Sequence, residues 1–283
     1  MKAPAPSILL DGLVFPECPR WHDGKLWLSD MQGQKVLTVD LEGRSQVVAS
    51  VPQRPAGLGF LPDGRLLVVS MANRLLLRLD PDGLRPLADL SSLVTGDLND
   101  MVVDAEGRAY IGNFGFDLFA GAPPKPTNLV MVAADGRAQV VADGLDFPNG
   151  MVISPDGRTL IVAETFGNRL TAFDIAEDGS LSGRRVFAEL ERVTPDGICL
   201  DVEGAVWVSS PSTSEFLRVT EGGTVTDRIP VPGKGAIACM LGGDDRRTLF
   251  LCTAQTTAQD LAEGKSVGWI ETVRVEVPGA GRP

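Results

Sequence analysis

Five stretches of the chain place one residue at a matching distance before a turn glycine. Eight residues before Gly64, Gly107, Gly157 and Gly204 stand Ala56, Asn99, Asn149 and Asp196, and seven before Gly24 stands Glu17. Four of the five are oxygen donors, two carboxylates and two amides. Hard donors of this kind suit Ca²⁺, Mg²⁺ or Mn²⁺ better than an ion that seeks thiolates. A single Asn or Asp before a strand needs no more explanation than capping loop backbone. Four at equivalent positions point to a ligand set for a divalent cation. The chain offers little competing chemistry. His22 is the only histidine and falls in a turn at the far end of its strand, so no Ser-His-Asp type of triad is available. No Gly-x-Gly-x-x-Gly or Walker pattern precedes a helix.

These residues need elements that bring them together, and the repeat supplies them. Hairpin-like segments recur as "FPECPRWHDGKLWLSD" at 15–30, "RPAGLGFLPDGRLLVVS" at 54–70, "DLNDMVVDAEGRAYIGN" at 97–113, "FPNGMVISPDGRTLIVAE" at 147–164 and "TPDGICLDVEGAVWVSS" at 194–210. A looser sixth copy, "KGAIACMLGGDDRRTLFLCT" at 234–253, has its glycine replaced near Arg246. The five turn glycines are separated by 40, 43, 50 and 47 residues, the length of a propeller blade. Between them "DLEG", "DPDG", "AADG", "AEDG" and "TEGG" mark second hairpins, which makes four strands per unit. The expected fold is an all-β, six-bladed propeller over residues 1–283. Its ring closes where the N-terminal strand at 7–10 joins the last blade beside "WIETVRVEV", removing exposed sheet edges. In such a ring the first strand of each blade lines the channel and starts at the same face. Glu17, Asn99, Asn149 and Asp196 should therefore meet at one mouth.

Composition narrows the partners. With 26 basic and 37 acidic residues the net charge is -11, which repels a phosphate backbone, so nucleic acid is not expected. The opening "MKAPAPSILL" has too short an apolar run for a signal-peptide core, and no stretch reaches membrane-spanning length. A cytoplasmic protein without a membrane partner is expected. Cys18, Cys199, Cys239 and Cys252 lack C-x-x-C spacing and sit in or beside strands, which fits buried free thiols.

In "PECPRW", "LNDMVVDAEGRAYIGN", "FPNGMVISPDGRTLIVAET" and "TPDGICLDVEGAVWVS", taken in order, the chain resembles the senescence marker protein, regucalcin and gluconolactonase family of six-bladed propellers. The resemblance implies that Glu17, Asn149 and Asp196 hold one catalytic divalent metal. Ca²⁺ is the first expectation, with Zn²⁺, Mg²⁺ or Mn²⁺ as alternatives. It also implies that Asn99 touches the substrate or approaches the metal, and that Asp196 doubles as general base in hydrolysis of a small lactone or ester. Sugar-lactone hydrolases of the family carry Arg two residues before the Asn of an R-x-N-D motif. Here that substrate-facing position is Asp97, and a negative residue cannot do the work of a guanidinium, so a simple aldonolactone is not the expected substrate.

The longest irregular stretch, "NFGFDLFAGAPPKPTN" at 113–128, reads as an apolar lid in which Phe114, Phe116 and Phe119 either meet substrate or pack the lid down. Glu164 and Phe166 follow the next inner hairpin and are expected in the same wall. Two other readings stay open. Related phosphotriesterase propellers use a similar Glu, Asn, Asn, Asp set, so the reaction could be phosphotriester cleavage. A non-catalytic propeller with a structural metal would show no metal-dependent turnover.

Overall fold

A computed structural model describes residues 5–281. Six four-stranded antiparallel sheets are arranged as a ring of blades, and the expected propeller is what the chain forms. The inner strands are Pro16–His22, Pro55–Phe60, Leu98–Val103, Pro148–Ile153, Ile198–Leu200 and Gly235–Gly242, in blades 1 to 6. Each packs against the inner strands of the two neighbouring blades. The last blade takes its outer strand from the N-terminus. Ser7–Leu13 pairs antiparallel with Val267–Arg274, with Ser7 opposite Thr272 and Leu13 opposite Gly268.

Local chemistry explains the hairpins. The turn glycines Gly24, Gly64, Gly107, Gly157 and Gly204 all have φ between 71° and 85°, the left-handed region that costs glycine nothing. In blade 6 Arg246 takes that conformation at φ 56°, so the turn survives the substitution. Burial falls from the axis outward. The inner strand of blade 4 is buried throughout, while the outer strand Ser45–Ser50 of blade 1 is mostly exposed. Apolar side chains between blades, such as Leu58, Met101 and Val152, form a core of sheet packed on sheet.

Two features aim the strand starts into the channel. The inner hairpins of blades 1 to 4 break register at their first residues, between Glu17 and Arg20, Pro55 and Leu58, Leu98 and Met101, and Pro148 and Met151. Such irregularities bend a strand and redirect its side chains. Close backbone approach is the other. A Cβ on Gly150, directly after Asn149, would lie 2.6 Å from Asp196 O and from Ile198 N. Only glycine lets blades 4 and 5 draw so near, and that contact sets Asn149 beside Asp196.

The one helix among the described residues, Ala258–Glu263, links two strands of blade 6 and starts with a Thr257–Asp260 capping box. Among the described residues no helix is long and apolar enough to cross a membrane.

Candidate metal centre at the channel mouth

Glu17, Asn99, Asn149 and Asp196 stand at or just before the starts of four inner strands, at one end of the channel. Asn99 and Asn149 are each 7% exposed, whereas Glu17 and Asp196 are only partly buried and stay open to the mouth. Both amide nitrogens are tied back to the protein. Asn99 Nδ2 donates to Pro148 O at 3.2 Å, and Asn149 Nδ2 donates to Thr165 Oγ1 at 3.2 Å, whose hydroxyl in turn donates to Pro195 O at 2.7 Å. The Asn149 amide also stands beside the Asp196 carboxylate, whose pKa it lowers.

The carboxylates are under strain of charge. Burial, then the charges of Asp196 and Asp100, push the Glu17 carboxyl well above its usual range. Burial and Asp100 push Asp196 up to about 8, against the opposing pull of the Asn149 amide and the Gly197 N–H. Neither Glu17 nor Asp196 forms an ion pair among the described residues, and Asp196 Oδ1 is buried without a hydrogen-bond partner. An orphaned buried carboxylate oxygen beside a second uncompensated carboxylate is an arrangement that a cation completes. The donor set of two carboxylates and two amide oxygens fits a hard divalent ion.

Asp100 and Arg20 belong to the same centre, and sequence reasoning missed both. Arg20 is buried beneath the mouth and donates to Asp100 Oδ1 at 2.6 Å, Leu58 O at 3.0 Å, Pro19 O at 2.8 Å and Met101 O at 2.5 Å. Its ion pair is with Asp100, and its charge opposes the rise of the Glu17 pKa only as the last of several influences. Among the described residues no three His, Cys, Asp or Glu side chains group around one ion position. The mixed carboxylate and amide set is the relevant one.

The lid expectation needs sorting residue by residue. Phe114 and Phe116 are each 5% exposed and pack with Phe147, which was not singled out from the sequence. Phe114 stacks on Phe147 at 4.6 Å, Phe147 lies 4.8 Å from Phe166, and Phe119 meets Phe114 at 6.2 Å. These five rings form one arc from blade 3 to blade 4, with Phe147 two residues before Asn149. Phe166 is its exposed end, at 46%. Glu164, expected in the pocket wall, is instead fully buried. Its oxygens accept from Arg169, Thr171 and Asp146 N, and Arg184 also reaches it at 3.3 Å, so it braces the loop.

Asp97, the negative residue at the substrate-facing position, is paired in the structure. Arg54, from the matching position of blade 2, donates to Asp97 Oδ2 at 2.8 Å. Partial burial still holds the Asp97 carboxyl above its ordinary value, with Arg54 pulling the other way. The argument against sugar lactones rested on the negative charge at this position, and Arg54 offsets that charge.

Other expectations fall away from the mouth. His22 ends the first inner strand at the opposite face, stacked on Phe60 at 3.7 Å. All four cysteines are free and buried. A cleft of about 500 Å³ at that opposite face, between blades 3 and 4, includes Asp104, Arg108, Ser154 and Asp156. There Asp104 pairs with Arg108, and Asp156 accepts from the Ser154 hydroxyl.

A six-bladed propeller with uncompensated carboxylates and amides at one mouth defines a class, and comparison with known proteins places the chain within it. Residues 15–255 match the family described as SMP-30/Gluconolactonase/LRE-like region, and the chain belongs to that family. It is 27% identical over 278 residues to 6-deoxy-6-sulfogluconolactonase of Pseudomonas putida, covering 95% of this chain and 94% of that protein. A gluconolactonase structure from Xanthomonas campestris aligns with TM-score 0.73 and 27% identity over 94% of this chain and 88% of that one. A structure of regucalcin, described as a calcium-binding protein, from Agrobacterium tumefaciens aligns with TM-score 0.82 over 100% of this chain and 97% of that one, and at 22% identity shows the shared fold.

Proposed function

We propose that the protein is a divalent-metal-dependent hydrolase that opens a lactone or related ester at the channel mouth. The observation behind the reading is Asp196 Oδ1, buried without a donor next to a second carboxylate that also lacks a counter-cation. Glu17, Asn149 and Asp196 are the residues that would hold the ion, Ca²⁺ foremost. When bound, the ion supplies Lewis-acid polarisation of the substrate carbonyl and cancels the repulsion between the carboxylates. The family relatives named as gluconolactonases support the choice of lactone chemistry.

The chain's own groups then divide the work. Asn99 presents its amide oxygen at the mouth, held by its bond to Pro148 O. Asp196 removes a proton from the attacking water as the water oxygen bonds to the carbonyl carbon. The ring C–O bond breaks, the leaving oxygen takes up that proton, and the product is the ring-opened hydroxy acid. The phenylalanine arc flanks the site and keeps bulk water from one side of the substrate. A cytoplasmic setting accords with four free thiols.

The test is hydrolysis of a lactone panel by metal-stripped protein resupplied with Ca²⁺, Mg²⁺, Mn²⁺ or Zn²⁺. Metal-dependent turnover that drops by about 10²-fold or more in Asp196→Asn is expected for loss of a general base. Tight metal binding with no turnover of any lactone would overturn the reading and favour phosphotriester cleavage or a binding role.

A further inference from the structure

Blades 1, 2, 4 and 5 cross the mouth with the same four-residue turn between their second and third strands, at 31–34, 71–74, 165–168 and 211–214. The fourth residue of each, Gln34, Arg74, Asn168 or Ser214, takes a left-handed conformation with φ between 50° and 57°. That shared geometry aligns the turns residue by residue. At the second position stand Gln32, Ala72, Phe166 and Ser212. The turn therefore makes no demand for a large apolar side chain there, and three blades do without one. Blade 4 departs from the others, and at 46% Phe166 is the one exposed aromatic side chain among the described residues.

The candidate site itself holds this ring in place. Thr165 N donates to Phe147 O at 3.1 Å, Phe166 N to Asp146 O at 3.3 Å, and Asn168 Nδ2 to Val193 O at 2.6 Å. Thr165, directly before Phe166, carries the hydroxyl that accepts from the Asn149 amide. The Phe166 ring packs on Phe147 at 4.8 Å and on Phe116 at 6.1 Å. The other rings of the arc have little surface to offer a ligand. Phe114, Phe116 and Phe147 are buried, and the Phe119 ring is covered by the Arg54 guanidinium at 4.0 Å. Phe166 thus carries the free surface of the arc, one residue from the side chain that ties down a candidate metal ligand.

We propose that Phe166 determines specificity by receiving an aromatic ring of the substrate beside the scissile carbonyl. A planar ring that is already fixed by two others loses little freedom on binding, and it meets an arene in offset or edge-on contact. The proposal rests on the hydrolase reading above and deepens it: the substrate is an aryl lactone or ester, with its carbonyl beside Asp196 and its arene over blade 4.

The test compares dihydrocoumarin with δ-valerolactone, which share a six-membered lactone ring and differ by a fused benzene ring, on protein supplied with Ca²⁺. In Phe166→Ala the ratio of kcat/KM for the aryl over the plain lactone should fall about 5- to 30-fold, mainly through KM, the scale of one lost ring contact and the apolar area beneath it. Phe166→Tyr keeps the ring and should hold the ratio within about threefold of wild type. Equal losses on both lactones, no loss on either, or a Tyr variant that loses as much as the Ala variant overturn the proposal and leave Phe166 a packing residue. If wild-type protein hydrolyses neither lactone, the hydrolase reading fails, and the arene contact is judged by calorimetric binding of the two ring-opened acids, 3-(2-hydroxyphenyl)propanoate and 5-hydroxypentanoate. Selective binding of the aryl acid that is lost in Phe166→Ala upholds the contact, and equal or absent binding sinks it.

Discussion

Metal-free protein should lose stability as the pH rises from about 4 to about 8, the reverse of acid denaturation. In the folded chain Asp196 keeps its proton up to about 8, because burial and the Asp100 charge oppose ionisation, whereas unfolded it ionises near its ordinary value of 3.8. Between those values the folded state binds more protons than the unfolded one, so stability is full below the lower value and is lost through the upper. A proton held over that span corresponds to the order of 5 kcal/mol. Glu17, raised by burial and by the same neighbours, adds in the same direction. The protein's well-paired surface acids act in another window, since Asp245, held down to about 2 chiefly by Arg274, is ionised throughout. The assay is urea unfolding of chelator-treated protein at pH 5, 6, 7 and 8. A fall of several kcal/mol is expected, a shallower fall in Asp196→Asn, and recovery at pH 8 on adding saturating Ca²⁺. Metal-free stability that is flat or rises from pH 5 to pH 8 would refute the argument that these carboxylates are uncompensated.

Replacing Arg20 with Met should destabilise the protein by about 3–5 kcal/mol, read from the urea midpoint, because it strands the buried Asp100 carboxylate. Adding Asp100→Asn to that variant should recover a large part of the loss, and the absence of recovery would count against the pair as the cause. Gly150→Ala should cost about 1–3 kcal/mol and depress metal affinity, measured by calorimetry, since its methyl meets the Asp196 carbonyl at 2.6 Å and separates blades 4 and 5.

Residues that act within a single hairpin were open to reading from the chain alone. The turn glycines reveal themselves because a tight turn needs positive φ within a few residues, and even the blade that lacks one keeps the conformation at Arg246. The candidate ligands are legible for a related reason. A repeat converts equal spacing from a turn into equal height along an axis, so Glu17, Asn99, Asn149 and Asp196 could be placed at one mouth before any coordinate was known. Glu164 shows the limit. Its position after an inner hairpin put it at the right end of its blade, but Arg169, Thr171 and Arg184 decide that its oxygens turn inward.

By itself, then, the sequence determined the number of blades, the closure of the ring and the height of the candidate ligands, all consequences of local turns and a regular repeat. Only the tertiary structure decided which charges cancel. Arg20 and Asp100 are 80 residues apart and Arg54 and Asp97 are 43 apart, so neither pair leaves a trace in local spacing. Their meeting depends on how closely neighbouring blades approach and which way each strand start is bent. Burial then makes these pairings decisive: a carboxylate with an arginine against it is a neutral surface, and one without stays uncompensated.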